Sequence, residues 1–144
     1  MSASLDPHLV LDKGIIRNYT VASGQTVRGG FAVKFASDDQ EIQEAGADSE
    51  LAIGVARGIG TTHAAAARVE VVMSNAIAEM KVGTGGVTRG KDVRMISDGI
   101  TDAPAFVIGG ATLIPVIGKI QQTGVAGDVV GVLIPGGISY RVAT

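Results

Sequence analysis

The stretch Gly85-Gly86-Val87-Thr88-Arg89-Gly90-Lys91 has the residue types and spacing of a phosphate-cradling loop, G-x-x-x-x-G-K. In that chemistry backbone N–H groups and a lysine surround a phosphate. A following Ser or Thr holds Mg²⁺, and a helix opens behind the loop. Here Asp92 follows, and its carboxylate would repel phosphate. Val93-Arg94-Met95 then reads as strand rather than helix. A glycine turn between strands explains the segment better. A small β domain that binds a phosphate-containing ligand through Gly85–Lys91 is the alternative.

The other reactive residue types form no constellation. Asp38, Asp39, Glu41, Glu44, Asp48 and Glu50 crowd one segment, but their spacing and the late Gly46 do not fit a calcium loop. They read as a solvated acidic loop. His8 and His63 stand far apart, and without cysteine no zinc–thiolate site or thiolate nucleophile is available. Ser37, Ser74, Ser97 and Ser139 lack the Gly-x-Ser-x-Gly elbow of a hydrolase nucleophile. The expectation is a non-enzymatic protein with no catalytic residue, no metal and no cofactor.

Composition narrows the class further. At 144 residues, one domain with a sizeable core is expected. The net charge is −2 and the 12 Lys and Arg are scattered from Lys13 to Arg141, which argues against nucleic-acid binding. No apolar run approaches the ~18 residues of a membrane span. Met1–Asp12 lacks a basic start and carries Asp6 and Pro7 early, unlike a signal peptide. The chain is 46% hydrophobic but 3% aromatic, so Val, Ile, Ala and Leu must fill the core. Phe31, Phe35, Phe106, Tyr19 and Tyr140 are its few large pieces.

The elements that would carry these residues are short strands. Twenty-one glycines punctuate Val/Ile-rich runs, the pattern of many strands joined by tight turns. Ala78-Glu79-Met80-Lys81-Val82 alternates as a strand with one wet face, as do Ala32–Phe35 and Asp92–Met95. Val129–Ile134 reads as a strand buried on both faces, with Gly131 marking a bulge or close approach. Further strands are expected at 15–21, 51–57, 68–74, 105–108, 116–122 and 138–142. Thr62–Ala67 offers either a turn of helix or a loop. Residues 1–13 form an N-terminal arm before a single β domain at 14–144. Its Leu5, Leu9, Val10 and Leu11 suit contacts with the core edge, a sister subunit or a partner surface better than a solvated tail.

The chain nearly repeats itself. Val33-Lys34-Phe35-Ala36-Ser37-Asp38 returns as Val93-Arg94-Met95-Ile96-Ser97-Asp98, each after an Arg-Gly turn at Arg28-Gly29 and Arg89-Gly90. Ile53-Gly54-Val55-Ala56 is echoed by Ile117-Gly118-Lys119-Ile120, and Val69–Met73 by Val129–Leu133. Two copies are too few for a solenoid. The expected fold is all-β: a compact sandwich or barrel of short strands, with two similar halves and little helix.

The order of parts resembles a known family. Tyr19-Thr20, Gly24-Gln25-Thr26-Val27 and Val33-Lys34 are followed by Gly46-Ala47-Asp48-Ser49-Glu50-Leu51-Ala52-Ile53-Gly54-Val55-Ala56. Arg68-Val69-Glu70-Val71-Val72, Lys81-Val82-Gly83, Arg89-Gly90-Lys91, Ile117-Gly118 and Ala126-Gly127-Asp128-Val129-Val130 complete the series. This is similar to the small capsid cement, or head decoration, proteins of tailed bacteriophages, over residues 14–134. The arm is longer than that family's. The resemblance implies a β-rich homo-oligomer, a trimer before a dimer, made in the bacterial cytoplasm. It would bind the major capsid protein on the virion exterior and bridge neighbouring capsomers, with no nucleic-acid or membrane partner. A glycan-binding adhesin is a further alternative, weakened by the absence of tryptophan.

Overall fold

The computed structural model describes residues 14–47, 52–104, 112–135 and 139–143, all in strands, turns and loops without helix. In the first half, β1 (Ile15–Val21), β3 (Ala32–Phe35), β4 (Glu41–Glu44), β5 (Gly54–Ala56) and β7 (Arg68–Ser74) close a barrel in the order β1-β4-β3-β5-β7. Two short strands, β2 (Val27–Arg28) and β6 (Thr62–His63), pair beside it. In the second half, β8 (Ala76–Lys81), β9 (Asp92–Ile96), β10 (Gly99–Asp102), β12 (Gly118–Ile120) and β13 (Val129–Ile134) form a sheet in the order β10-β9-β12-β13-β8. The antiparallel pair β11 (Thr112–Val116) and β14 (Ser139–Ala143) is a separate ladder whose β11 lies beside β9 and leads directly into β12.

The two sheets are one topology used twice. β1 meets β4 in parallel at Val21 and Ile42, and Val82 meets Ile100 by a parallel bridge in the second half. Val27 opposite His63 is matched by Val87 opposite Gly124. The first interior is Val21, Val27, Val33, Ile42, Ala56, Val69 and Val71. Its counterparts Val82, Val87, Val93, Ile100, Ile120, Val130 and Val132 are all buried in the second. The halves join through the single left-handed residue Asn75, a conformation asparagine tolerates well.

The structure corrects the register of two echoes by one residue. Gly30 and Gly90 both have φ +84° and donate their N–H to the carbonyls of Ala56 and Ile120, at 2.8 and 2.9 Å. Gly90 therefore matches Gly30, and Arg89 stands at the place of Gly29, not Arg28. Glu70 and Gly131 carbonyls accept from Arg57 and Gln121, so Val69 matches Val130 rather than Val129. A slip of one residue exchanges the two faces of a strand, and only the ladder settles it.

Other elements also depart from the sequence reading. The acidic segment is not all loop. Glu41–Glu44 is a strand because Ile42, its lone apolar residue, is fully buried in the first barrel. Thr62–Ala67 is neither helix nor plain loop: Thr62-His63 pairs as β6, and Ala66 takes φ +68° at a turn where the second half has Gly127. β13 alternates instead of being buried on both sides, with Val129 40% exposed. Gly131 pairs regularly with Glu79 and marks no bulge. The strand expected at 105–108 lies outside the described residues.

Gly54 and Gly118 show why the Ile-Gly echo exists. A Cβ on Gly54 would overlap the carbonyl oxygen of Val72, and one on Gly118 that of Leu133. Here the rim strand of each barrel crosses its neighbour too closely for a side chain. Gly54→Ala and Gly118→Ala should each lower unfolding free energy by about 1–3 kcal/mol, the cost of overpacking a rigid backbone contact. Chemical denaturation of the two variants checks the magnitude and their similarity.

Candidate functional site

The Gly85–Lys91 loop spends its donors on the protein itself. The N–H groups of Gly86, Val87 and Gly90 donate to the carbonyls of Gly83, Gly124 and Ile120, and that of Lys91 to Thr88. Thr88 N–H donates to Asp102 at 2.8 Å and Arg89 N–H to the Thr123 hydroxyl at 3.1 Å. A phosphate would find no free amide from Gly86 to Lys91, and β9 rather than a helix follows. The geometry therefore gives the phosphate alternative no support. Nearby, Asp98 caps Thr84, accepting its hydroxyl at 2.6 Å and its N–H at 3.1 Å. The hydroxyl contact is the main reason the Asp98 carboxyl sits below its ordinary pKa.

The remaining polar candidates are structural or dispersed. Glu44 is clamped by Arg28, whose Nε and Nη2 donate at 3.0 and 2.7 Å and whose backbone N–H donates at 2.8 Å. Burial alone would raise the Glu44 carboxyl pKa, but these charge-assisted bonds outweigh it and hold it low. The His63 ring meets the Arg57 carbonyl at 2.9 Å. No group of three His, Asp or Glu converges among the described residues. Ser74 is buried, and Asp48, Glu50 and His8 lie outside the described residues.

What the fold does build is a joint and an open counterpart. At the second barrel's mouth, Met80, Met95 and Ile134 are buried in one cluster with Phe31, Ala32, Val55 and Val72 from the first half. Arg28 lies over the Phe31 ring at 3.8 Å and donates from Nη2 to the Ser97 carbonyl at 3.3 Å. Lys81 N–H reaches the Gly30 carbonyl at 3.4 Å.

The equivalent mouth of the first barrel presents Tyr19, Phe35 and Met73. Tyr19 and Phe35 meet edge to face at 5.6 Å, and the Tyr19 hydroxyl donates to Met73 sulfur at 3.5 Å. Phe35 is nevertheless 52% exposed, and Ile16, which lines the same depression, is 42% exposed. Asp38 and Asp39 rim the depression on one side, Arg17 and Arg68 on the other. Phe35, read from the sequence as a core piece, is thus a surface residue. Its alignment with Met95 was the available signal for this mouth. Leu5, Leu9, Val10 and Leu11 lie outside the described residues.

The fold defines a class: an all-β protein in which a small closed barrel is followed by a five-stranded sheet of the same strand order, its ends brought together into a second, looser barrel by the Val82–Ile100 bridge. Among solved structures, the N base of head fiber gp8.5 of bacteriophage phi29 is similar. The TM-score is 0.59 and the identity 16%, with 90% of this chain and 100% of that one covered. The resemblance to a phage head-associated protein therefore holds at the level of fold. No protein-family model and no curated protein matches the sequence.

Two outcomes follow from this geometry. Glu44→Gln should cost about 1 kcal/mol or less at neutral pH, since the pair is partly solvated. The folded carboxyl is held below the unfolded value near 4.5, so its contribution is present above that value and is lost as pH falls through the lower, folded pKa. The difference between wild type and Glu44→Gln in urea midpoints should therefore shrink on acidification. Calorimetric titration with ATP or inorganic phosphate should give no binding heat, with or without Lys91→Ala.

Proposed function

We propose that this chain is a non-enzymatic structural protein of a phage virion. It decorates the outer surface of the head and bridges neighbouring capsomers as a homo-oligomer. The observation that carries the reading is the shared fold with a phage head-fiber base across nearly the whole of both chains. The backbone N–H groups from Gly86 to Lys91 support it, because all of them are occupied in holding turns. Many weak copies on one shell suffice for such a role, since multivalent attachment multiplies modest contacts.

Purified protein should co-sediment saturably with DNA-filled heads assembled without it, and should raise their resistance to heat. Deleting residues 1–11 should weaken that attachment while leaving the far-UV spectrum and unfolding transition intact. Absence of co-sedimentation by the full chain overturns the reading. Unchanged attachment of the truncated chain removes Leu5, Leu9, Val10 and Leu11 from the contact.

A further inference from the structure

We propose that the open mouth of the first barrel is a self-association surface, and that its occupant is the outer wall of the second barrel of another copy. The proposal rests on the homo-oligomer in the reading above and names its two faces. The internal joint is the template. There, the wall of the first barrel covers the mouth of the second, and Met80, Met95 and Ile134 fall to 5% exposure or less. Among the described residues, repeating one topology twice leaves one mouth and one wall over. The spare mouth is Tyr19 and Phe35 with the turn Asp38-Asp39. The spare wall carries Lys91, Asp92 and Lys119 at the places of Phe31, Ala32 and Val55.

The mouth carries Asp38 and Asp39 together with Arg17 and Arg68, and it is the acidic turn that the wall's cations match. The mouth turn exposes Asp38 and Asp39, while the wall exposes Arg89, Lys91 and Lys119, with Lys119 3.4 Å from Asp92. The internal joint already uses this chemistry, since Arg28 of the wall reaches the Ser97-Asp98 turn of the mouth it covers. Ser37-Asp38 is the matching turn in the spare mouth. Lysine stems can cover the exposed rings while their ammonium groups lie over the aromatic faces or against the carboxylates. A basic wall instead of an apolar one keeps the unassembled molecule soluble and makes the contact depend on ionic strength. Mouth to wall is a heterologous contact, so successive copies close into a ring or run on as a filament.

Light-scattering mass tests the faces. The unsubstituted chain should have the mass of several copies, falling at high salt. Phe35→Glu alone and the double variant Arg89→Glu/Lys91→Glu alone should each run as one chain. An equimolar mixture of the two should give a two-chain particle, because only one of its two possible joints is intact. Asp38→Lys/Asp39→Lys, placed in an exposed turn, should restore full assembly with Arg89→Glu/Lys91→Glu. It also serves where Phe35→Glu fails to fold by circular dichroism. A single-chain mass for the unsubstituted protein, unchanged masses for the variants, or a mixture that stays monomeric overturns the proposal. Head co-sedimentation is scored separately. Variants that keep their mass in a protein that binds heads retire the faces alone. A protein that assembles through these faces yet never binds heads retires the virion reading.

Discussion

The packing of one barrel's wall over the other barrel's mouth organises this molecule. A barrel of five short strands is narrow, and a few Val, Ile and Ala side chains fill it. Its closing contact is a parallel pairing of only a few residues, Thr20-Val21 with Glu41-Ile42 in one half and Val82 with Ile100 in the other. Strands that touch so briefly splay beyond the contact. The inward side chains at that end, Tyr19 and Phe35 or Met80 and Met95, then lack a full ring of neighbours. Apolar groups so placed need a cover, and in the second barrel the first barrel provides it.

The same constraint explains which repeated positions stay alike and which diverge. Gly54 and Gly118 answer to a backbone crossing, and Gly30 and Gly90 to a left-handed turn, so both halves keep glycine there. Ala66 fills the left-handed place of Gly127, at some local strain. Wall positions follow solvent instead. Phe31, Ala32 and Val55 face the joint and are apolar, whereas the same places on the second wall hold Lys91 and Lys119, which are exposed, and Asp92, which is half-buried. Interior positions such as Val33 and Val93 are identical because each barrel has the same small volume to fill.

The polar chemistry of the chain serves this architecture. Asp98, Asp102 and Glu44 accept backbone N–H groups of Thr84, Thr88 and Arg28 and so fix the exposed turns. Arg28 links the acid of its own half to the turn of the other, and so ties the joint electrostatically as well as by packing. The surface that remains distinctive is the aromatic mouth of the first barrel, lined by both acids and arginines and suited to contact rather than to reaction.

The residues alone determined the all-β class, the duplication and the exact span of strands such as β1 and β7, because alternation and glycine punctuation are local properties. They also marked Gly85–Lys91 as a turn, since Asp92 breaks the phosphate pattern. Strand β4 was hidden, as one buried Ile42 among acids has no periodic signature of its own. The true register of the repeat was hidden too: Arg89 looks like the partner of Arg28 until the hydrogen bonds of Gly30 and Gly90 align. Only the tertiary structure decided that Met95 is buried and Phe35 exposed. The two are equivalent by sequence, and what separates them is whether another barrel's wall lies across the strand end.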